Sequence, residues 1–190
     1  MPGRNESETL MSTGITGLDN VLGGGLQRHH LYLLEGGPGS GKTTVALQFL
    51  LAGVLRGEPL LYVTLSETAR ELQAAATSHG WTLDGLTMLE LMPGEEALDA
   101  DEQSTMFHPS EVELGATTKR ILREVEHTKP TCVVIDSLSE LRLLSGSALR
   151  YRRQILALKQ YFSARQCTVL LLDDLTDSDR DLQMHSVSTR

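Results

Sequence analysis

Five runs of consecutive apolar residues recur along the chain, and each is followed by a helical pattern or by a loop that leads to one. Continuous apolar character is typical of strands that are covered on both faces, as in a parallel sheet flanked by helices. The pattern therefore predicts an α/β fold, a three-layer sandwich with a mainly parallel central sheet. The predicted strands are HLYLLE (30–35), PLLYVTL (59–65), LTMLELM (86–92), TCVVIDSL (131–138) and CTVLLLDD (167–174).

Helix signals lie between the predicted strands. Thr68 with Glu71, and Ser110 with Glu113, have the spacing of a capping box, so we expect a helix to begin at each pair. Apolar residues at helical spacing then predict which face of each helix lies on the sheet. The expected stripes are Val45, Leu47, Phe49, Leu50 and Val54 in a first helix closed by Gly57, then Leu114, Ile121 and Val125 in the third helix, and Tyr151, Ile155, Leu158 and Phe162 in the fourth.

The segment GGPGSGKT, residues 36–43, matches the pattern G-x-x-x-x-G-K-[ST] at every fixed position, directly after a predicted strand and before a predicted helix. Glycines allow several backbone N–H groups to converge on a phosphate, and the helix N-terminus adds partial positive charge. A tight turn without a ligand is the alternative interpretation, but it accounts for neither the lysine nor the threonine. The sequence therefore predicts a site for a nucleoside triphosphate. Its binding residues are predicted to be Gly37, Gly39, Ser40, Gly41, Lys42, Thr43 and Thr44.

The predicted site also needs a metal and a means of activating water. We expect Lys42 to reach the β- and γ-phosphates, and Thr43 to ligate Mg²⁺ through its hydroxyl. Asp136 closes the apolar run CVVID and can hold Mg²⁺ through water, with a strand-end turn residue as the alternative interpretation. Glu67 follows the second strand and is the catalytic candidate that orients or deprotonates water. An acid placed ahead of a helix start, where the helix dipole favours it, is an equal alternative for Glu67.

Composition narrows the class of protein. The 190 residues include 17 Lys and Arg against 25 Asp and Glu, and the net charge of −8 disfavours a protein that coats nucleic acid. The apolar runs are far shorter than the roughly 18 residues of a membrane span, and the start, MPGRNESETL, lacks a secretory signal. We therefore expect a cytoplasmic protein with no membrane partner. Cys132 and Cys167 are expected to be buried, reduced thiols, and the acidic stretch 93–109 a solvated loop.

The motifs resemble, in the same order, those of a KaiC-type domain of the RecA superfamily. STGITGLDNVLGGGLQRHHLYLLEGGPGSGKTT resembles that family's approach to its P-loop, YVTLSETARELQAAATSHGW its second strand and helix, and VVIDSLSELR its metal-binding strand. The resemblance implies a RecA-like P-loop core over residues 12–174, between a tail of residues 1–11 and a partial C-terminal segment of residues 175–190. It also implies ATP and Mg²⁺ as ligands, a homo-oligomer, usually a hexameric ring with nucleotide at the subunit interfaces, and a regulatory protein partner.

Two departures from the family pattern bear on catalysis. Where the family carries two adjacent glutamates, this chain has Ser66 and then Glu67, so we expect hydrolysis to be slow or lost. Later strands of the family carry basic residues that reach a neighbour's γ-phosphate, whereas this sequence stops at LQMHSVSTR and is expected to be C-terminally shortened. Arg150, Arg152 and Arg153 are candidates to replace those basic residues, although a solvated helix face is the favoured interpretation.

The resulting hypothesis is a regulatory ATPase whose nucleotide state alters oligomer geometry and partner binding. One alternative is a recombinase-like or helicase-like DNA-dependent ATPase, for which SELRLLSGSALRYRR would have to serve as the DNA-facing loop. The other alternative is a nucleotide-binding scaffold without turnover. Part of the family phosphorylates itself, and the sequence gives no basis for choosing a Ser or Thr for that role.

Overall fold

The computed structural model describes residues 9–91 and 109–175, which form seven strands and six helices. The strands are β1 (Leu10–Met11), β2 (Leu26–Gln27), β3 (Leu31–Gly36), β4 (Leu60–Thr64), β5 (Thr87–Glu90), β6 (Cys132–Asp136) and β7 (Thr168–Asp174). The helices are α1 (Thr16–Val21), α2 (Lys42–Val54), α3 (Ala69–Ser78), α4 (Pro109–Thr128), α5 (Leu138–Ser145) and α6 (Ala148–Ala164).

The main sheet consists of five parallel strands in the order β3-β7-β6-β4-β5. Each strand lies on the apolar run that predicted it, so the predicted α/β fold with a parallel sheet is confirmed. A separate antiparallel pair, β1 with β2, was not predicted, and neither was α1. Because all five strands of the main sheet run the same way, their carboxyl ends and the loops after them meet at one edge.

Helices cover both faces of the main sheet. In β4, Leu60 and Tyr62 enter the core shared with α2 and α3, whereas Leu61 and Val63 enter the core shared with α4, α5 and α6. Within the described residues, none of these helices is both long and apolar enough to cross a membrane. The residues buried as the helical stripes predict are Leu47, Phe49, Leu50, Leu114, Ile121, Val125, Tyr151, Ile155, Leu158 and Phe162, with Val45 and Val54 partly buried.

The two predicted capping boxes have different outcomes. At α3, Thr68 Oγ1 accepts the backbone N–H of Glu71 at 3.2 Å, and the Glu71 carboxylate accepts the backbone N–H of Thr68 at 2.8 Å. This box is confirmed. At the second pair, α4 begins at Pro109, one residue before Ser110, and the side chains of Ser110 and Glu113 lie outside the described part of the structure. A proline in the first turn costs no intrahelical hydrogen bond, so the helix can begin there.

The segment after β6, considered above as a DNA-facing loop, is helical. It forms α5 and the start of α6, and Leu138, Leu141 and Leu144 of α5 are buried. Ser147 caps α6 by accepting the backbone N–H of Arg150 at 3.3 Å. The expectation of a loop at this position is therefore wrong, because the segment is helical and the apolar face of α5 is buried.

Asp19 holds together the segment that leads into the main sheet. Its carboxylate accepts hydrogen bonds from Ser12 Oγ at 2.6 Å and from Thr13, through Oγ1 at 2.6 Å and the backbone N–H at 2.8 Å. Burial by itself raises the pKa of Asp19, but these hydrogen bonds outweigh it and hold the pKa below its ordinary value. Gln48 of α2 donates to the carbonyl of Gly14 at 2.8 Å, so the segment is anchored to the first long helix.

The two cysteines are free and buried. Cys132 lies in the core beneath α2 and α3, and Cys167 lies in the core on the opposite face of the sheet. Burial raises the pKa of Cys167 to about 12, and it also raises the pKa of Cys132. Both groups therefore remain protonated thiols at neutral pH and are poor nucleophiles.

Candidate functional site

The turn between β3 and α2 contains the predicted phosphate cradle. Gly39 and Gly41 have φ angles of 74° and 89°, a left-handed conformation that glycine adopts without strain. A Cβ atom on Gly36 would collide with Ser40 Oγ, so a side chain at this position would force Ser40 to move. The turn therefore places bare backbone directly ahead of the N-terminus of α2, an arrangement suited to binding an anion.

Lys42, the first residue of α2, lies over this turn. Its Nζ donates to the carbonyl oxygens of Gly36 at 2.8 Å and Gly37 at 3.0 Å, and it forms an ion pair with Asp174 Oδ1 at 2.7 Å. Asp174 ends β7, the strand that pairs with β3. This partner was not predicted, although the acidic pair that ends LLLDD is a visible signal. The ammonium group is thus held above the cradle by groups that a bound phosphate could replace.

Asp136 is the acceptor in a buried hydrogen-bond cluster at the end of β6. Its Oδ2 accepts from Thr43 Oγ1 at 3.0 Å and from Tyr62 Oη at 2.6 Å. Asp136 is 6% exposed and Tyr62 is fully buried. The fold thus brings together Thr43 and Asp136, the two residues that the sequence analysis assigned to the metal, across 93 positions of the chain. Tyr62 was not predicted, because an apolar strand residue carries no sequence signal for this contact.

Glu67 lies on the same edge of the sheet, in the loop after β4. Thr64, which ends β4, is in register with Asp136. Thr64 Oγ1 donates to the carbonyl of Glu67 at 2.5 Å and accepts its backbone N–H at 3.1 Å, which fixes the loop. Burial, and then the nearby carboxylates of Asp136 and Glu71, raise the pKa of Glu67. A carboxylate with a raised pKa accepts a proton more readily than an ordinary one, as a general base must.

A second buried carboxylate, Asp173, connects β7 to α5. Its Oδ1 accepts from Ser139 Oγ at 2.8 Å, and its Oδ2 accepts from Arg142 Nη2. The backbone N–H of Asp174 lies 3.0 Å from Asp173 Oδ1 and 3.3 Å from Ser139 Oγ. The first turn of α5 therefore helps to fix the residue that pairs with Lys42. This network was also missed, because it depends on which strand lies beside which.

Some of the predicted segments lie outside the described residues, and the remaining candidate residues lie in the cradle turn, in α2 and on α6. Residues 93–108 of the predicted acidic loop 93–109, residues 1–8 of the predicted tail 1–11, and residues 176–190 of the predicted C-terminal segment lie outside the described residues. Of the predicted tail, Leu10 and Met11 form β1. Gly37 and Ser40 are in the cradle turn, Thr44 is in the first turn of α2, and Arg150, Arg152 and Arg153 are exposed on α6.

These groups fit a nucleoside triphosphate with Mg²⁺. The turn, the start of α2 and Lys42 offer donors for phosphate oxygens. Thr43 and Asp136 offer oxygen ligands, and a hard cation such as Mg²⁺ prefers oxygen. In the described ranges, no cluster of three or more His, Cys, Asp or Glu could bind a metal by itself. A cation here would therefore share its coordination between these two residues, the phosphates and water, as Mg²⁺ commonly does.

Comparison with known proteins places the chain among ATPases. The family model described as ATPase: KaiC matches residues 11–189. A UPF0273 protein of Methanopyrus kandleri is 31% identical over 178 residues, which are 90% of this chain and 69% of that protein. A UPF0273 protein of Thermotoga maritima is 29% identical, with 90% and 72% covered. The circadian clock protein KaiC2 of Synechocystis is 31% identical over 168 residues, 88% of this chain and 28% of that protein. The chain belongs to the KaiC family of ATPases.

Proposed function

We propose that the chain binds ATP with Mg²⁺ in the turn between β3 and α2, with residues 12–174 as its nucleotide-binding core, and hydrolyses the ATP slowly. The observation that carries the proposal is the 3.0 Å hydrogen bond between Thr43 and Asp136, directly beside Lys42. A turn that only reversed the chain would need neither a buried carboxylate nor a lysine at this place. Membership of the KaiC ATPase family supports ATP as the nucleotide.

Each residue of the site has a distinct role in this proposal. The backbone of residues 37–41 and the start of α2 bind phosphate oxygens, and Thr44 donates to the α-phosphate. Lys42 exchanges its carbonyl and carboxylate partners for oxygens of the β- and γ-phosphates. Thr43 would hold Mg²⁺ directly and Asp136 through water. A cation held by these residues would supply neutralisation of the phosphate charge during transfer.

Glu67 is proposed to orient the attacking water and to accept its proton. The raised pKa supports this role, and the fixed loop after β4 supports its position. Ser66 stands where the first of the family's two adjacent glutamates would be and cannot act as a base, so one carboxylate, Glu67, acts alone. We therefore expect slow turnover. Because a base must be deprotonated, the hydrolysis rate should fall with decreasing pH, beginning above the ordinary glutamate pKa of about 4.3.

We further propose that nucleotide binding is coupled to assembly with other copies of the chain and to a regulatory protein partner. Leu143, Leu149 and Leu156 on α5 and α6 are 74%, 69% and 42% exposed, and exposed apolar residues grouped on neighbouring elements are typical of interaction surfaces. Asp173 ties α5 to the end of β7, next to the partner of Lys42. This network supports a physical connection between the nucleotide site and the outer surface of α5 and α6.

The variant Lys42→Ala tests nucleotide binding. Loss of a cation that forms several charge-assisted hydrogen bonds should weaken binding of a fluorescent ATP analogue by about 100-fold or more in an equilibrium titration with Mg²⁺. Lys119→Ala, which changes an exposed lysine of α4, is the matched control and should bind like the wild type. Tight binding by Lys42→Ala would contradict the proposed site.

The variant Glu67→Gln separates a slow ATPase from a scaffold without turnover. A glutamine keeps the size of the side chain but cannot accept the proton, so phosphate release should fall to background while ATP affinity stays within a few-fold of the wild type. If the wild type itself releases phosphate no faster than this variant, the scaffold hypothesis is correct and hydrolysis is not a function of this chain.

A further inference from the structure

Tyr62 has a hydroxyl group that the roles assigned above do not use. It lies in the middle of β4, and its ring packs in the core beneath α2 and α3. A phenylalanine would fill the same apolar space. The tyrosine hydroxyl instead reaches the buried carboxylate at the end of β6 and donates to Asp136 Oδ2 at 2.6 Å. A polar atom in such a position needs a physical explanation.

The hydroxyl of Tyr62 shares its acceptor with the hydroxyl of Thr43. Both donate to Oδ2 of Asp136, and they come from different elements, β4 and α2. Two donors on one oxygen fix the plane of the carboxylate, and neither of them uses Oδ1. The Thr43 oxygen is assigned to the metal. The Tyr62 hydroxyl contacts both Asp136 and Thr43, but it is not itself assigned as a ligand of the metal. Tyr62 can therefore hold Asp136 in place whether or not a cation is bound.

We propose that Tyr62 is a positioning residue for Mg²⁺, because its hydroxyl holds the Asp136 carboxylate in the orientation that binds metal-coordinated water. Hydrogen bonds from outside the coordination sphere commonly orient metal ligands in this way, and their removal typically costs about 10–100-fold in metal affinity or activity. The inference rests on the function proposed above, since it requires a complex of Mg²⁺ and nucleotide at this site.

A purely structural role for the hydroxyl makes a different prediction. A buried tyrosine hydroxyl needs a hydrogen-bond partner, and removal of the hydroxyl also takes one hydrogen bond away from a buried carboxylate. Both the structural role and the positioning role therefore predict some loss of folding stability. Only a positioning role predicts a loss that is confined to the metal-dependent part of nucleotide binding. The test therefore compares binding in the presence and absence of the cation.

The variant Tyr62→Phe removes the hydroxyl and keeps the ring. We expect the Mg²⁺ concentration that half-saturates binding of a fluorescent ATP analogue to rise about tenfold, while affinity for the analogue in excess EDTA stays unchanged. Electron paramagnetic resonance of Mn²⁺, used in place of Mg²⁺, measures cation binding to the protein–nucleotide complex without any turnover. The affinity of the complex for Mn²⁺ should fall by a similar factor.

The matched control is Tyr32→Phe. Tyr32 lies on β3, and its hydroxyl donates to the carbonyl of Gln27 at 3.0 Å, so this variant removes a tyrosine hydrogen bond without altering the Asp136 cluster. It should leave both cation titrations unchanged. Equal Mg²⁺ half-saturation in Tyr62→Phe and the wild type would overturn the inference while leaving the proposed function intact. Failure of the wild type to bind nucleotide would instead contradict the proposed function.

A second measurement does not depend on how well the variant folds. In a crystal structure of the wild type with Mg²⁺ and a non-hydrolysable ATP analogue, Tyr62 Oη should remain within hydrogen-bond distance of the Asp136 carboxylate while the metal is bound. A structure in which the hydroxyl has left Asp136 for another acceptor would overturn the inference. A double-substitution cycle of Tyr62→Phe with Asp136→Asn should show non-additive losses of cation affinity, because Tyr62 is proposed to act through Asp136.

Discussion

Lys42 has two kinds of partner that exclude each other. In the structure its ammonium group pairs with Asp174 at 2.7 Å and donates to two carbonyl oxygens of the cradle. A triphosphate takes up the same ammonium group, so it must displace Asp174. The displaced carboxylate then lies close to phosphate oxygens of the same charge. Asp174 therefore opposes nucleotide binding in two ways, by competing for the lysine and by repelling the anion.

The variant Asp174→Asn should accordingly bind ATP more tightly. The ion pair is partly exposed, so we expect a modest gain of about 1 kcal/mol, which is roughly a fivefold lower Kd in isothermal titration calorimetry with Mg²⁺. The gain should shrink at high salt, which screens the repulsion. Glu126→Gln is the control, because it breaks the ion pair with Arg165 on the far surface. Weaker binding by Asp174→Asn would mean that Asp174 assists the nucleotide instead.

At the scale of elements, the sequence predicts the strands and the phosphate cradle, which depend on the local pattern of residues. It does not predict side-chain contacts between elements that are distant along the chain. The strands of the main sheet follow from continuous apolar runs, and the cradle follows from glycines, lysine and threonine in one short segment. β1 and β2 were missed because two residues are too few to show a strand pattern, and α1 was missed because six residues are fewer than two helical turns. Tyr62 and Asp173 were missed for another reason. Their roles arise from strand register and from the packing of α5, and spacing along the chain encodes neither.

The segment that contains α1 offers a test of element stability. Asp19→Asn keeps the size of the side chain but removes the charge that accepts from Ser12 and Thr13. We expect a loss of about 1–2 kcal/mol in the free energy of unfolding, measured by urea denaturation at pH 7, because hydrogen bonds to a charged group are stronger than neutral ones and this group is partly exposed. Asp84→Asn is the control, because it alters an exposed loop carboxylate that accepts a hydrogen bond from Thr82.

The pH dependence provides an independent check of the same contacts. The pKa of Asp19 is lower in the folded chain than its ordinary value, so its contribution to stability is present above about pH 4 and is lost as the pH falls through the lowered pKa. The difference in stability between wild type and Asp19→Asn should therefore narrow in acid. A difference that stays constant from neutral pH to pH 3 would show that the charge of Asp19 is not what stabilises this segment.

At the scale of the whole molecule, charge and exposed apolar surface act in opposite directions on assembly. A net charge of −8 makes copies of the chain repel one another at low salt, whereas Leu143, Leu149 and Leu156 favour burial. If nucleotide lies between subunits, as resemblance to KaiC-type domains implies, then ATP with Mg²⁺ adds contacts between two adjoining subunits that their own side chains do not supply. Assembly should then depend on nucleotide and should be favoured by moderate salt.

Light scattering coupled to size-exclusion chromatography tests this expectation. The wild type should shift to a larger mass with ATP and Mg²⁺ at about 150 mM salt, where the screening length is near 8 Å, and less so at low salt. Lys42→Ala should stay at the nucleotide-free mass under every condition, whereas Lys119→Ala should follow the wild type. If the mass of the wild type is the same with and without nucleotide although ATP binds, the coupling of nucleotide state to assembly is wrong for this chain, and the site acts within a single subunit.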